Sequence, residues 1–438
     1  MMKKILGFLL VVSLFFLMTA CSSDSHEVNE QDNEKQSNGE EISGEITVMG
    51  WGGGEELQAR KDATKIFQKM YPDVKVDEIW LPADSIDEKL DAALAAGDAA
   101  DVIMLSPDWK ALRAKWFEDL TPYFEKNNID ESLFTPGADD GYVLQDGKRE
   151  GMPTTQSCFL IAYNKEIFDE AGVPYPTNDW TWDDFAEIAK LVSSGSGADR
   201  TYAIVSHWIL NSFAPYLYGG TPYNEDWTTQ TIDSPETIKA LKLIEELIKA
   251  EAIPDDAASK SIPMDAMFVT GRAAMYPLGL FEAGEIAKKV GDSFEWGVVL
   301  PPKDPNGKHT NIKFQTGWAM NKDSKNKEAA WAYIETVSLN KEVNDIYAKV
   351  GIPALKESAE TTFAEMTIPN TDIKQTEYLN GLEDAVTFPW GGSIQKAADI
   401  FFQLMDEIKT HKSTAKDAVE KYAPKMQDAL DDIHERSH

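Results

Sequence analysis

The chain has 438 residues, is 42% apolar, and carries a formal net charge of −32 from 42 basic and 74 acidic residues. This length exceeds one ordinary domain and predicts two, each with a sizeable core. The strongly acidic balance argues against nucleic acid and anionic lipid headgroups as partners, because both would be repelled. The chain has two cysteines, Cys21 and Cys158. If Cys21 carries a lipid, as the N-terminal sequence described next indicates, Cys158 has no disulfide partner within the chain, so we interpret it as a buried packing residue.

The N-terminus has the features of a bacterial export signal. Basic residues precede the apolar stretch 5–20, which is short for a membrane span of about 20 residues. Thr19-Ala20-Cys21 resembles the lipobox, although Met18 stands where leucine is usual. The resemblance implies removal of residues 1–20 and a diacylglyceryl group on Cys21; a plain signal or an uncleaved anchor stays an alternative. Residues 21–43 are polar and acidic, which predicts a flexible lipid-anchored tether.

The first predicted elements alternate between strands and helices. Apolar spacing predicts a strand at 45–49, a helix at 55–70 and a strand at 72–80. A capping box of Ser85 and Glu88 predicts a second helix, and a buried strand follows at 101–105. This alternation is typical of an α/β unit with a parallel sheet.

The pattern continues through the rest of the chain. Thr181 and Ser234 are predicted N-caps, the latter with Pro235 at the first helical position. The remaining predicted elements are strands at 157–163 and 316–320 and helices at 327–339, 394–408 and 415–433.

Several short motifs then follow one another in a fixed order. They are Gly151-Met152-Pro153, Ala162-Tyr163-Asn164-Lys165, Phe168-Asp169-Glu170-Ala171-Gly172, Trp180-Thr181-Trp182-Asp183-Asp184-Phe185, Gly271-Arg272-Ala273-Ala274-Met275-Tyr276, Gly317-Trp318-Ala319-Met320, Ser324–Trp331 and Gly351-Ile352-Pro353-Ala354. Together they resemble the family 1 extracellular solute-binding proteins, the sugar-capturing subunits of ABC importers. The resemblance covers about residues 45 to 435.

The resemblance implies an α/β, two-lobed periplasmic-binding-protein-like fold of type II. Each lobe is expected to hold a mostly parallel sheet flanked by helices, with the ligand cleft between the lobes. Lobe 1 is expected to take 44–153 and 312–375, and lobe 2 to take 154–311 and 376–438. Ligand binding across both lobes would drive closure about the hinge.

Loops after strands supply the first candidate ligand-binding residues, because open α/β sheets bind ligands beyond the carboxyl ends of their strands. Trp51 and Glu55 flank a triple-glycine loop after the first strand, where Glu55 can accept hydroxyl hydrogen bonds or simply begin a helix. Ser106 and Asp108 follow the third strand, where they can bind hydroxyls or cap a helix. Gln156 lies beside the predicted first crossover between lobes.

Aromatic residues supply the second group of candidates, because sugar rings stack their C–H faces on flat aromatic rings. Trp208, Trp318 and Trp390 lie in loop or strand-end settings, next to Gly, His or Pro. Each is either a stacking platform or a core residue. Tyr276 is the last residue of the Gly271–Tyr276 motif, and Glu282 follows it; both are expected to line the cleft.

These observations favour a lipid-anchored protein that captures a carbohydrate, expected to be an oligosaccharide, and delivers it to an ABC importer. The expected partners are the sugar, the importer's transmembrane subunits and, through Cys21, the outer face of the cytoplasmic membrane. A monomer is expected, with no cofactor. The histidines show no paired metal spacing and no Gly-x-Ser-x-Gly elbow occurs, so neither a metal site nor catalysis is expected. A secreted glycan-degrading enzyme and a receptor for a non-sugar solute stay as alternatives.

Overall fold

The structure is a computed structural model. It describes residues 42–82, 86–107, 114–144, 146–205, 212–255, 258, 262–387 and 394–437. Cys21 and the predicted tether as far as residue 41 therefore lie outside the described residues, as does Ser85 of the predicted capping box.

The described chain alternates strands and helices along most of its length. The strands are β1 (Gly44–Trp51), β2 (Val74–Leu81), β3 (Val102–Leu105), β4 (Met152–Ser157), β5 (Phe159–Asn164), β6 (Tyr202–Ile204), β7 (Ala273–Gly279), β8 (Trp296–Val299), β9 (Ile312–Met320), β10 (Ile352–Pro353) and β11 (Val386–Thr387). The helices are α1 (Gly54–Met70), α2 (Ile86–Ala96), α3 (Thr121–Asn127), α4 (Lys165–Ala171), α5 (Trp182–Val192), α6 (Pro235–Lys249), α7 (Met264–Val269), α8 (Leu280–Val290), α9 (Lys327–Leu339), α10 (Lys341–Tyr347), α11 (Lys356–Ser358), α12 (Glu377–Leu382), α13 (Gln395–Lys409) and α14 (Ala415–Ser437).

The strands form two sheets, each of which belongs to one lobe. The larger has seven strands in the order β10-β4-β9-β3-β1-β2, with β11 beside β9. The smaller has four strands in the order β6-β7-β5-β8. We call the two lobes the large-sheet lobe and the small-sheet lobe; they confirm the predicted two-lobed α/β fold.

Both sheets are mixed, so the prediction of mostly parallel sheets is wrong. In the large sheet β1 pairs in parallel with β2 and β3, but β9 is antiparallel to both β3 and β4. The reason is the path of the chain: β4 leaves the large sheet in the direction of β3, and β9 returns from the small-sheet lobe in the opposite direction. In the small sheet β5 is antiparallel to β7 and β8.

Each lobe has its own apolar core. In the large-sheet lobe Val48 of β1, Phe67 of α1 and Ile334 of α9 are fully or almost fully buried in one cluster. In the small-sheet lobe Ile161 of β5 and Phe401 of α13 are buried in another. The helical spacing of apolar residues therefore gives each helix one face that removes apolar surface from water against its own sheet.

The predicted helix starts are confirmed where the sequence carries a cap. The Thr181 side chain accepts a hydrogen bond from the backbone N–H of Asp184, which reciprocates to form a capping box. Ser234 accepts from the N–H of Thr237, with Pro235 at the first helical position. These caps satisfy N–H groups that have no partner within the helix.

The segments that pass between the sheets are held together by one asparagine. Asn311, at the start of β9, is 2% exposed. Its Oδ1 accepts from the N–H of Phe159 at 3.1 Å, and its Nδ2 donates to the carbonyls of Phe159 at 2.8 Å and Gly381 at 3.0 Å. Three segments distant in sequence therefore meet at one buried side chain, at the junction of the lobes.

Candidate ligand-binding site between the lobes

The carboxyl ends of β1 and β3 lie at the edge of the large sheet that faces the small-sheet lobe. β4 runs parallel to these strands, because both β3 and β4 are antiparallel to β9, and it continues directly into β5 of the small sheet. The loops after β1 and β3 therefore lie on the side from which the chain enters the second lobe. This is the edge where ligands bind in open α/β folds.

The loop after β1 is a tight glycine turn into α1. Gly52 and Gly54 have φ values of +153° and +52°, a region that favours glycine. Trp51, at the end of β1, is partly buried and packs against two apolar clusters of the large-sheet lobe. The predicted candidate Trp51 therefore lies at this edge with part of its ring exposed.

Glu55 begins α1 and forms an ion pair with Lys288 of α8. The two residues are 233 positions apart and belong to different lobes. Their side chains are 44% and 56% exposed, respectively, so water screens the pair. Glu55 thus lies at the lobe boundary as expected, but its carboxylate already has a cationic partner.

Of the four other candidates, Ser106 lies in the loop after β3, and three lie outside the residues that the structure describes. Ser106 follows β3 and is partly buried, and the Leu105 carbonyl beside it accepts a hydrogen bond from Tyr142 Oη at 3.3 Å. Asp108, Trp208 and Trp390 lie outside the described residues.

Gln156 is buried in β4 and is held by a neighbouring hydroxyl. It is 2% exposed, and its Nε2 donates to Thr135 Oγ1 at 3.0 Å. It lines a groove of about 910 Å³ together with Lys313 of β9, Ile352 of β10 and Leu379 of α12. Among the described residues that line this groove, none is aromatic.

Tyr276 and Glu282 bind each other at the start of α8. Tyr276 Oη donates to Glu282 Oε2 at 3.0 Å, and Glu282 Oε1 accepts from the N–H of Gly279 at 3.3 Å. Burial is the main cause that raises the pKa of Glu282 to about 7, and the nearby carboxylates of Asp265 and Glu285 add to it. The pair therefore caps a helix, and both side chains have partners within the small-sheet lobe.

Trp318 is a core residue of the large-sheet lobe. It is 1% exposed, and its ring makes edge contacts with Trp80 at 6.3 Å and Tyr333 at 5.7 Å between centroids. Of its two interpretations from sequence, the packing in this structure favours the core, because the side chain is almost fully buried.

Two phenylalanines at the junction of the lobes were not among the predicted candidates. Phe281 at the start of α8 and Phe314 in β9 are only partly buried. Their ring centroids lie 6.4 Å apart, and both rings contact Phe159, at 6.2 Å and 5.4 Å. The prediction from sequence considered Trp and Tyr as stacking platforms but not Phe, so it missed both residues. Lys288 was missed because nothing in the local sequence relates it to Glu55.

Within the part of the chain that the structure describes, no cluster of His, Cys, Asp and Glu has the composition and proximity of a metal site. Over the same residues, no helix is both long and apolar enough to cross a bilayer. Cys158 is buried, its Sγ donates to the Tyr378 carbonyl at 3.3 Å, and burial raises the pKa of its thiol. It packs as a small apolar residue.

The fold has two lobes, each with its own sheet, and the chain passes between them through paired strands. These features define the class of two-lobed binding proteins. The chain belongs to the bacterial extracellular solute-binding protein family, which it matches over residues 52–343, two-thirds of its length. This family consists of binding proteins rather than enzymes.

Individual relatives share this architecture across nearly the whole chain. The substrate-binding protein Lmo0181 of Listeria monocytogenes, solved with cycloalternan, is 26% identical, with a TM-score of 0.76, over 90% of this chain and 98% of that one. The galactooligosaccharide-binding protein of Bacillus subtilis is 23% identical over 97% of this chain and 96% of its own. UgpB of Mycobacterium tuberculosis, solved with glycerophosphocholine, is 19% identical with a TM-score of 0.74, over 90% and 99%.

Proposed function

We propose that this protein captures a carbohydrate, an oligosaccharide in particular, between its two lobes and delivers it to an ABC importer. The observation that carries the proposal is the family match, together with one relative solved with cycloalternan and another named as a galactooligosaccharide-binding protein. The acidic surface agrees with a neutral ligand, because it would repel anionic ones.

The lobes are proposed to close over the sugar by a hinge motion. The sequence-based division, 44–153 and 312–375 for lobe 1 and 154–311 and 376–438 for lobe 2, is proposed with one change. Because β4 pairs with β9 as far as Ser157, the first crossover is proposed to lie where β4 passes into β5, and the second where β9 returns. A sugar that contacts both lobes binds the closed state more tightly than the open state, and this difference in affinity drives closure.

The sugar is proposed to lie beyond the ends of β1 and β3. Trp51 contributes a partly exposed indole and Ser106 a hydroxyl from the large-sheet lobe. Phe281 and Phe314 contribute aromatic surface from the junction. Asp108, Trp208 and Trp390 stay candidates from the sequence: polar and aromatic groups are the combination that such pockets use.

We further propose that Cys21 carries the lipid that holds the protein at the outer face of the cytoplasmic membrane. Two acyl chains on one cysteine are sufficient for stable anchoring. The support is the lipobox resemblance and the polar tether that follows it. The protein is proposed to act as a monomer, and to lack catalytic activity because the family to which it belongs consists of binding proteins.

A thermal-shift screen with the purified full chain tests the carbohydrate proposal. The panel contains cycloalternan, galactotriose and maltotriose, and glycerophosphocholine represents the non-sugar alternative. A ligand present at 100 times its Kd adds about 2.7 kcal/mol to the free energy of unfolding, which raises Tm measurably.

A rise in Tm with one class of oligosaccharide, and no product on chromatography of the incubated sugar, supports a sugar receptor. A rise with glycerophosphocholine alone overturns the carbohydrate proposal in favour of a phosphodiester solute. Shortened sugar products would instead favour the glycan-degrading enzyme.

A further inference from the structure

The first turn of α1 meets the middle of α8 across the lobe boundary. α1 packs on β2 and on α9 and α10 of the large-sheet lobe, whereas α8 packs on β7 of the small sheet and on α7. The contact between α1 and α8 therefore joins two bodies that move relative to each other in any hinge motion.

A glycine on α8 permits this close approach. A Cβ atom at Gly284 would lie 3.0 Å from Glu55 Oε2 and 3.6 Å from Pro369. On the other side, a Cβ atom at Gly54 would lie 3.4 Å from Glu285 Oε2. The glycines thus bring the N-terminus of α1 and the acidic and basic groups of α8 within reach of each other.

The two adjacent lysines of α8, Lys288 and Lys289, pair with carboxylates in different lobes. The neighbouring Lys289 pairs with Glu285 at 2.8 Å and with Asp265 at 2.9 Å, both within the small-sheet lobe. Lys288 instead pairs with Glu55 of the other lobe. The two adjacent lysines therefore have different roles: one stabilises its own lobe, and the other connects the lobes.

We propose that the ion pair between Glu55 and Lys288 is a latch between the lobes that favours the closed state. Glu55 then acts as a positioning residue, and its carboxylate is used for lobe closure instead of for a sugar hydroxyl. The inference rests on the proposed function, because a latch affects ligand affinity only if the ligand binds between the lobes. By stabilising the closed state, the latch raises affinity and slows ligand release.

The test measures the distance between the lobes with no sugar present, so it does not depend on the identity of the ligand. Spin labels are attached to Gln68→Cys on α1 and Lys242→Cys on α6, both at exposed positions. The background is the full chain with Cys21→Ser in mild detergent, and the buried Cys158 is protected from labelling.

Charge reversal separates the latch from a ligand contact. Glu55→Lys and Lys288→Glu are each expected to shift the distance distribution to longer values, and the double variant is expected to restore it. The expected change in the closed-to-open ratio is about five-fold or less, since exposed pairs are weak, and it shrinks with added salt. The matched control is Lys416→Glu, which breaks an exposed pair with Glu420 inside α14 and is expected to leave the distances unchanged.

A second variant does not depend on charge. Gly284→Leu places a side chain against Glu55 and Pro369 and is expected to lengthen the distances as well; thermal melts show that each variant is folded. Unchanged distances in both single charge variants, or no restoration in the double variant, overturn the latch. Because wild-type sugar binding is measured separately, loss of the latch proposal would leave the proposed function intact.

Discussion

Asn311 is the residue whose removal tests the junction of the lobes most directly. Its side chain makes four buried hydrogen bonds, to Phe159 twice, to Gly381 and to the N–H of Ile312. In Asn311→Ala these four bonds are lost together. At about 1 kcal/mol for each bond, we expect a loss of about 4 kcal/mol in the free energy of unfolding.

This loss is a large part of the stability of an ordinary domain. With an unfolding entropy of about 2.1 cal/mol/K per residue and a cooperative unit of about 200–400 residues, Tm is expected to fall by about 5–10 °C. Differential scanning calorimetry of the full chain at neutral pH measures this value. The matched control is Asn306→Ala, which removes an exposed loop asparagine whose Nδ2 donates to nearby Asp304; its expected effect is within about 0.5 kcal/mol.

Asn311→Asp is a more specific test because it keeps the shape of the side chain and the two hydrogen bonds that Oδ1 accepts from the N–H groups of Phe159 and Ile312. The two donated bonds become contacts between a buried carboxylate and the carbonyls of Phe159 and Gly381. We expect a destabilisation at neutral pH at least as large as that of the alanine variant, with partial recovery in acid as the carboxyl group is protonated. If Asn311→Ala and Asn306→Ala melted within about 1 °C of each other, our account of the junction would be wrong.

Two further predictions concern residues that the sequence assigned to the ligand. The pKa of Glu282 is raised from 4.5 to about 7. Between pH 4.5 and pH 7 the folded state therefore keeps a proton on this carboxyl group that the unfolded state has lost. As pH rises through this range, the free energy of unfolding falls by up to about 3 kcal/mol. Glu282→Gln is expected to flatten this part of the Tm-against-pH curve and to melt higher than wild type at pH 8; parallel curves for the two proteins would contradict the assignment. Trp318→Ala is expected to destabilise the large-sheet lobe by about 3–5 kcal/mol through loss of a buried ring, measured by denaturant unfolding. Unchanged stability with weakened sugar binding would instead place Trp318 in the cleft.

Local features of the sequence predicted local structure well. The caps at Thr181 and Ser234 and the bounds of α9 at 327–339 agree with the structure. These features depend on hydrogen bonds and apolar spacing within one or two helical turns, so neighbouring residues contain the information. The ordered motifs also predicted the family and the two-lobed fold, because they occur along most of the chain.

Features that depend on contacts between distant segments needed the tertiary structure. Nothing near Trp318 in the sequence distinguishes a stacking platform from a core residue, since tryptophan serves in both; the contacts of its ring with Trp80 and Tyr333 in the tertiary structure favour the core. The antiparallel return of β9 made the sheets mixed, and this follows from the path between lobes rather than from strand patterns.

The sequence by itself determined the helices that a cap or apolar spacing marks, the acidic surface and the family. The tertiary structure decided which charges and amides meet: Glu55 with Lys288 across 233 residues, and Asn311 with Phe159 across 152. The physical reason is range. Caps and periodicity act over a few residues, whereas burial and pairing between lobes depend on how complete elements pack, and that packing is a property of the whole chain.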